Sequence, residues 1–385
     1  MRTKMLYKRT AGNKVQQWCM EIEGSRYRTI SGQTDGEQVT SQWTTAKPKN
    51  KGRANETSAE AQAVAEVKSH FAKKLKAGYS ETIEAAKVDD RFKVMLAEKY
   101  KDYKDYIAER FAQGELVSVQ PKLDGVRCVA RRDGLWSRNN TKIVSCPHIE
   151  AALVPFFAEF PEAILDGELY NHELRHDFDS LISILRKTSG LTDADLALSA
   201  KMAQYHVYDA AGTWDGEDVA AMNFPVRAAR VLDVVAFLAV PFIVTVPVVS
   251  CFDFGKIDFL YELYLEEGYE GQMVRTAEPY RIGARSKDLL KRKEFVDAEY
   301  EVVDIVEGEG NRSGVAGYAV LKLPDGRLFN SNLKGGMAHY RFLLQNKHHF
   351  IGGQATVTYT NLTPKGVPRF PRIAKDKWWP KGRDL

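Results

Sequence analysis

The sequence predicts a multidomain α+β protein. Three observations carry this: a chain of 385 residues, too long for one core; a β-rich start that runs into an amphipathic helix; and a change near residue 298 from mixed strand and helix patterns to short strands with Gly-rich turns. Three parts are expected, 1–85, 86–297 and 298–385.

In the first part, 14–45 reads as short strands and 47–56 as a Lys/Pro/Gly/Asn-rich loop. A helix is expected over 58–76, where Ala61, Val64, Ala65, Val67 and Phe71 recur near helical spacing. A charged helical connector over 86–111 leads to a strand over 116–123. Alternation there puts Val117, Val119 and Leu123 on one face and Ser118, Gln120 and Lys122 on the other. Further strands are expected at 163–169, 205–209, 243–249, 270–275 and 289–293, with helices at 225–238 and 256–267. In the last part the runs EYEVVDIVEGEG, GYAVLKLPDGRLF and QATVTYTNLTPKG read as strands. Ala355, Val357 and Tyr359 fall on one side and Thr356, Thr358 and Thr360 on the other, as a small β-barrel requires.

Composition narrows the class. Hydrophobic residues at 44% and charged residues at 28% argue against general disorder. A net charge of +4, from 55 Lys and Arg against 51 Asp and Glu, excludes a wholly basic histone-like binder, so any nucleic-acid surface must be a local patch. Cys19, Cys128, Cys146 and Cys251 have neither zinc-site nor disulfide spacing, which fits a reducing cytosol. The start MRTKMLYKRT has no apolar core for a signal peptide, so the chain is expected to stay inside its cell. The apolar stretch 231–254 is interrupted by Asp233, Pro241 and Pro247 and reads as helix followed by core strand, not as a membrane span.

The segment that carries most chemistry is Gln120-Pro121-Lys122-Leu123-Asp124-Gly125-Val126-Arg127. A lysine attacks phosphorus only as the neutral amine, and its pKa falls when it is desolvated or set among cations. Arg127, Lys291 and Lys293 are candidates for that cationic surrounding. The pattern K-x-D-G-x-R alone is short, and a surface Lys before a Gly turn would read the same way.

More elements follow in order: Ser137-Arg138-Asn139, Leu165-Asp166-Gly167-Glu168, Tyr205-His206-Val207-Tyr208-Asp209, Glu270-Gly271-Gln272-Met273-Val274 and Leu290-Lys291-Arg292-Lys293. With them the chain resembles the covalent nucleotidyltransferase superfamily, which comprises ATP-dependent DNA ligases, RNA ligases and mRNA capping enzymes. The resemblance implies an ATP-grasp-like ligase adenylation domain over 86–297 and an OB-fold barrel over 298–385. It implies that Lys122 carries AMP as a phosphoramidate, and that Arg127 and Arg138 contact ribose, phosphates or the nicked strand. Tyr208 would stack on adenine, with a core tyrosine as the competing reading. Gln120 stands where the family usually has a glutamate that reads the adenine amino group, and its amide oxygen could make the same bond. Glu168 and Glu270 would hold Mg²⁺, with Mn²⁺ as a substitute, and Lys291 and Lys293 would grip the α-phosphate from one strand face.

The last part resembles the OB-fold of DNA ligases in its segments Asp304–Gly310, Leu362-Thr363-Pro364-Lys365-Gly366, Pro368-Arg369-Phe370-Pro371-Arg372 and Lys375-Asp376-Lys377. By that resemblance Arg369, Arg372 and Lys377 approach the ATP pyrophosphate, or contact DNA phosphates. The first part is faintly similar to WGR-type modules through Tyr27-Arg28, Trp43 and the helix end Lys73-Lys74-Leu75-Lys76, although it has no Trp-Gly-Arg tripeptide. It is a candidate DNA grip, with an inert or protein-binding module as the alternative.

The implied activity is ATP-dependent sealing of 5′-phosphate/3′-hydroxyl nicks in duplex DNA through lysyl-AMP and adenylylated DNA. The expected setting is a monomeric bacteriophage or bacterial enzyme in the cytoplasm of a bacterial or phage-infected cell, with nicked duplex DNA and ATP as partners and no membrane. An RNA ligase or a capping guanylyltransferase is the alternative.

Overall fold

The computed structural model describes residues 1–10, 14–87, 92–308, 312–363 and 365–379. Glu309, Gly310 and Pro364, quoted above in the DNA-ligase-like segments, lie outside the described residues. The chain divides into two compact units, Met1–Asp90 with Phe295–Leu385, and Arg91–Glu294.

At the start, β1 (Leu6–Arg9), β2 (Val15–Glu23), β3 (Arg26–Gln33) and β4 (Gln38–Thr40) form an antiparallel sheet in sequence order, with β5 (Thr44–Thr45) on β3. Helix α1 (Ala59–Lys76) begins at Ser58, whose side chain accepts from the Ala61 N–H at 3.1 Å. The helix stripe Ala63, Val67 and Phe71 packs on Trp18, Met20 and Tyr27. A short helix α2 (Ile83–Lys87) follows.

In the second unit come β6 (Leu96–Lys99), α3 (Lys104–Ala112), β7 (Val117–Lys122), β8 (Val126–Arg131) and β9 (Gly134–Ser137). Next are α4 (Pro147–Ala152), α5 (Val154–Glu159), β10 (Ala163–Tyr170), α6 (Phe178–Leu185), α7 (Asp193–Met202), β11 (Gln204–Trp214) and β12 (Glu217–Asp218). The unit ends with α8 (Phe224–Leu238), β13 (Ile243–Thr245), β14 (Val249–Cys251), α9 (Phe254–Glu266), β15 (Gly271–Arg275) and β16 (Arg285–Lys293).

Two sheets result. One has the order β14-β7-β15-β16-β6, and the other β12-β11-β10-β8-β9 with β13 on β11. Val117, Val119, Val274 and Leu290 of the first pack against Ile257 and Leu260 of α9. Leu165, Leu169, Cys128 and Val207 of the second pack against Phe156, Leu181 and Val231 from the helices. The four cysteines are buried and unpaired.

Two expectations need correction here. The connector is not one helix: Leu96–Lys99 is a strand paired in parallel with β16, a 3₁₀ turn follows over Tyr100–Asp102, and α-helix returns at Lys104. The open N–H and C=O groups at the β16 edge outweigh the local helical preference of a charged segment. The strand expected over 243–249 is two strands, β13 on β11 and β14 on β7. Pro247, which has no N–H for a ladder, stands where the chain leaves one sheet for the other. No helix among the described residues is long and apolar enough to cross a membrane.

The last part has β17 (Val296–Glu307), β18 (Ala316–Lys322), β19 (Leu328–Leu333), α10 (Met337–Gln345), α11 (Lys347–Phe350), β20 (Gln354–Tyr359) and β21 (Arg372–Trp379). The strands pair in the ring β17-β18-β19-β21-β20, which closes through β20 on β17. Val302, Ile305, Leu321, Ala355, Val357 and Ile373 fill it.

Candidate active site

Strand register assembles one face of the cavity. Across β7, β15 and β16, Lys122 stands opposite Gly271 and Gly271 opposite Lys293; Gln120 stands opposite Met273 and Met273 opposite Lys291. Cross-strand partners project to the same side of a sheet, so Gln120, Lys122, Met273, Lys291 and Lys293 share a face. The second sheet supplies the facing wall, with Arg127 opposite Glu168 in β8 and β10. Tyr208 owes its place to a β-bulge. Asp166 pairs with Asp209 and Gly167 with Val207, which leaves Tyr208 as the extra residue, and an unpaired bulge residue is re-aimed. The cavity is lined by Gln120, Lys122, Arg127, Arg138, Glu168, Tyr208, Met273, Arg275, Arg285 and Lys291, among others.

The loop after Lys122 depends on Gly125. A Cβ there would run into the Leu169 carbonyl oxygen and the Glu168 side chain, so only glycine lets the loop cross the end of β10 this closely.

At the Lys122 end the charges are tightly coupled. Glu270 bridges two lysines, accepting from Lys122 through Oε2 and from Lys293 through Oε1, and its backbone N–H donates to the Lys122 carbonyl at 3.0 Å. Burial pulls the Lys122 ammonium toward the neutral amine, but Glu270, Glu168 and Asp124 outweigh it and its pKa is raised. This corrects the expectation of a lysine depressed by neighbouring cations: a carboxylate lies closer to it than they do. Lys291 is the lysine whose pKa is lowered, by burial and by Arg285, Lys122, Lys293 and Arg138. Burial pushes the Glu168 carboxyl up to about 8, against the pull of Lys122 and Arg127.

At the other end, two guanidiniums lie near the Tyr208 ring, Arg127 at 5.8 Å and Arg275 at 5.6 Å from its centre. Arg127 grips Asp166 with two N–H groups and donates to the Met95 carbonyl at 2.8 Å, so its charge is offset within the fold. Arg275 joins Gln120, through Nε to Oε1 at 2.8 Å, with Asp209, through Nη1 to Oδ2 at 2.6 Å. Asp209 also accepts from Arg227. The Gln120 oxygen is therefore already engaged. Arg275 occupies one acceptor site of this oxygen and leaves it a second lone pair, and the amide nitrogen has no hydrogen-bond partner among the described residues.

The arrangement combines a primary amine, a carboxylate bridging it to a second cation, a further cation at Lys291 and an aromatic ring, all around one cavity. Such a set suits a nucleotide bound with a phosphate near the amine. The sequence model of the ATP dependent DNA ligase domain matches residues 94–293, just over half of the chain. The chain belongs to the ATP-dependent DNA ligase family. It is 28% identical over 271 residues to a DNA ligase of African swine fever virus, covering 65% of this chain and 61% of that one. A DNA ligase of Halobacterium salinarum is 29% identical over 223 residues, covering 54% of this chain and 38% of the other. The chain thus spans about three fifths or less of the length of these curated relatives. Among solved structures, a Lig E DNA ligase from a study of DNA binding with a minimal scaffold superposes with a TM-score of 0.59 at 24% identity. It covers 76% of this chain and 99% of its own, a likeness of fold.

Among the residues singled out from sequence, this member of the ligase family brings Gln120, Lys122, Arg127, Arg138, Glu168, Tyr208 and Lys291 to one cavity, with Glu270 bound to Lys122 and Lys293 bound to Glu270. Arg372 and Lys377 sit on β21, and Arg369 precedes that strand, in the other compact unit. Sequence reasoning missed Arg275, Asp209 as its partner, and Arg285. Arg275 shares the parity of Met273 and Gly271 on β15, so alternation alone could have placed a cation on the cavity face.

Proposed function

We propose that the chain is an ATP-dependent DNA ligase that carries AMP on Lys122 and seals 5′-phosphate/3′-hydroxyl nicks in duplex DNA. The observation that carries the reading is Lys122 Nζ in the cavity wall, bound by Glu270 and flanked by Lys291, on the strand face that also bears Gln120.

In the first transfer Lys122, as the neutral amine, attacks the α-phosphorus of ATP. A P–N bond forms, the bond to pyrophosphate breaks, and the amine loses a proton. In the second, the 5′-phosphate oxygen at a nick attacks the AMP phosphorus and Lys122 recovers as the amine. In the third, the 3′-hydroxyl attacks the 5′-phosphorus and AMP leaves. Glu270 keeps Lys122 positioned and charged until the substrate is in place, and releasing that contact frees the amine. Lys291, lowered in pKa and facing the cavity, stabilises charge developing on the α-phosphate.

Among the described residues no three His, Cys, Asp or Glu side chains converge as a ligand cage. Two carboxylates near one cavity suit a cation that takes its other ligands from phosphates and water. Mg²⁺, or Mn²⁺ in its place, would be held by Glu168 and Glu270 and would neutralise charge on the transferring phosphate.

The closing ring of strands after Phe295 supports an OB-fold, with Arg369, Arg372 and Lys377 meeting the pyrophosphate or DNA phosphates. For the first module we propose a grip on the DNA backbone. A groove there is lined by Trp18, Tyr27, Arg28, His70, Lys73 and Lys74, and the Lys74 ammonium lies over Trp18 at 5.0 Å and Tyr79 at 4.8 Å. Lys74→Met keeps the stem and removes the charge. It should weaken binding to nicked duplex and reduce the slope of log K against log salt by about 0.9, with adenylylation unchanged. Unchanged affinity and slope would make the module inert toward DNA.

The test of the whole reading is joining of a duplex with a 5′-labelled nick. ATP-dependent joining of nicked DNA is expected, with adenylylated DNA accumulating when the 3′-hydroxyl is removed. Joining of nicked RNA but not nicked DNA would sink the proposal in favour of an RNA ligase.

A further inference from the structure

Two rings meet where the two sheets of the unit Arg91–Glu294 come together beside Lys122. His172 follows the end of β10, and Tyr269 stands just before Glu270 and β15, so each ring marks a strand end of a different sheet. The rings stack with centres 4.2 Å apart and planes 24° from parallel. Stacked rings attract beyond their shared burial, and this contact ties the two strand ends together. Each ring is held in turn. The hydroxyl of Tyr170, the last residue of β10, shares a hydrogen bond with His172 Nδ1 at 2.7 Å. Tyr264 of α9 meets the Tyr269 ring edge-on at 5.9 Å, and its carbonyl accepts from the Tyr269 N–H at 2.9 Å. The segments touch a second time: Arg175 donates to the His172 carbonyl at 3.0 Å, and its side chain fills the space that a Cβ on Gly268 would need.

The path from these rings to the chemistry is short. Glu270 follows Tyr269 directly, its N–H donates to the Lys122 carbonyl, and its carboxylate bridges Lys122 and Lys293. Tyr269 also packs against Leu123 and Tyr170, under the loop that carries the chain from β7 to β8. Resting on the lysyl-AMP reading above, we propose that His172 and Tyr269 are positioning residues: their stack holds Glu270, and through it Lys122, against the sheet that carries Glu168, and so sets the rate of enzyme–AMP formation. A carboxylate that orients a nucleophile does so only while its own place is fixed, and a shift of about 1 Å can cost a hundredfold in rate. Arg127, Tyr208 and Lys291 reach the cavity from other strand positions. Loss of the stack therefore slows the transfer and leaves the binding of ATP nearly as it was.

The full chain is given α-labelled ATP over a range of concentrations, and the rate at which label is retained on denatured protein is followed in a single turnover. His172→Leu and Tyr269→Leu keep much of the packed volume and remove the stack, and Tyr269→Phe keeps it; melting temperatures are read on each. His172→Leu and Tyr269→Leu should each lower the maximal rate by about tenfold and change the half-saturating ATP concentration by less than about twofold. The double variant should be no slower than the slower single, since either substitution alone already breaks the stack. Tyr269→Phe should stay within about twofold of the wild type. Leucine variants with an unchanged maximal rate, whatever their melting temperature, overturn the proposal. So does a higher half-saturating ATP concentration at an unchanged maximal rate, or single losses that multiply in the double variant. Each of these leaves lysyl-AMP formation intact. No label on the wild type overturns both.

Discussion

Glu270→Ala is expected to cut the rate of enzyme–AMP formation by about a hundred- to a thousandfold. Glu270 orients Lys122 and Lys293 at once, and the substitution removes that bridge together with a proposed cation ligand. Two effects oppose each other. Without Glu270 the pKa of Lys122 falls, since burial lowers it and Glu270 is the chief group that raises it, so more of the nucleophile is neutral at a given pH. Positioning and charge stabilisation in a water-poor cavity weigh more than the neutral fraction. The sign can be read in a pH profile: the wild-type rate rises with pH as Lys122 loses its proton, and the weak residual rate of the variant should rise at lower pH. A variant as fast as the wild type would show that the bridge is incidental.

Asp209→Ala should lower the stability of the unit Arg91–Glu294 by about 3–5 kcal/mol, or a melting temperature by about 10 °C. Asp209 is fully buried and accepts from both Arg227 and Arg275, so its removal leaves two buried guanidiniums without their carboxylate. Burial raises the Asp209 carboxyl, but Arg275 and Arg227 outweigh it and its pKa is lowered. Its contribution is therefore full above the unfolded value of about 3.9 and is lost as pH falls through the folded value. Calorimetry of the two proteins from neutral to acid pH should show the difference shrinking in acid. A constant difference would contradict the charge assignment.

Much of this architecture was legible in local pattern. The helix over 58–76 was legible as an amphipathic run, although of its expected stripe only Val67 and Phe71 pack inward, Ala61, Val64 and Ala65 being exposed and Ala63 taking their place, and the alternation around Lys122 places the lysine at a strand end on the face of Gln120. What was not legible depends on partners far away in the chain. Leu96–Lys99 becomes a strand because β16, nearly two hundred residues later, offers it an edge. The polarity of Gln120 is set by Arg275, 155 residues on, and the raised pKa of Lys122 by Glu270, 148 residues on. Tyr208 can be found by its motif, but its aim comes from a one-residue register shift opposite Asp166 and Gly167. Pro247 was visible as an interruption, while the sheet change it accompanies follows from two ladders that sequence does not reveal.

The most direct test of the central claim is label retained on denatured protein after incubation with α-labelled ATP and Mg²⁺, in the wild type and in Lys122→Ala, with pre-bound AMP first removed by pyrophosphate. The account predicts acid-labile label on the wild type and none on Lys122→Ala. Equal label on both, or none on the wild type, would contradict it.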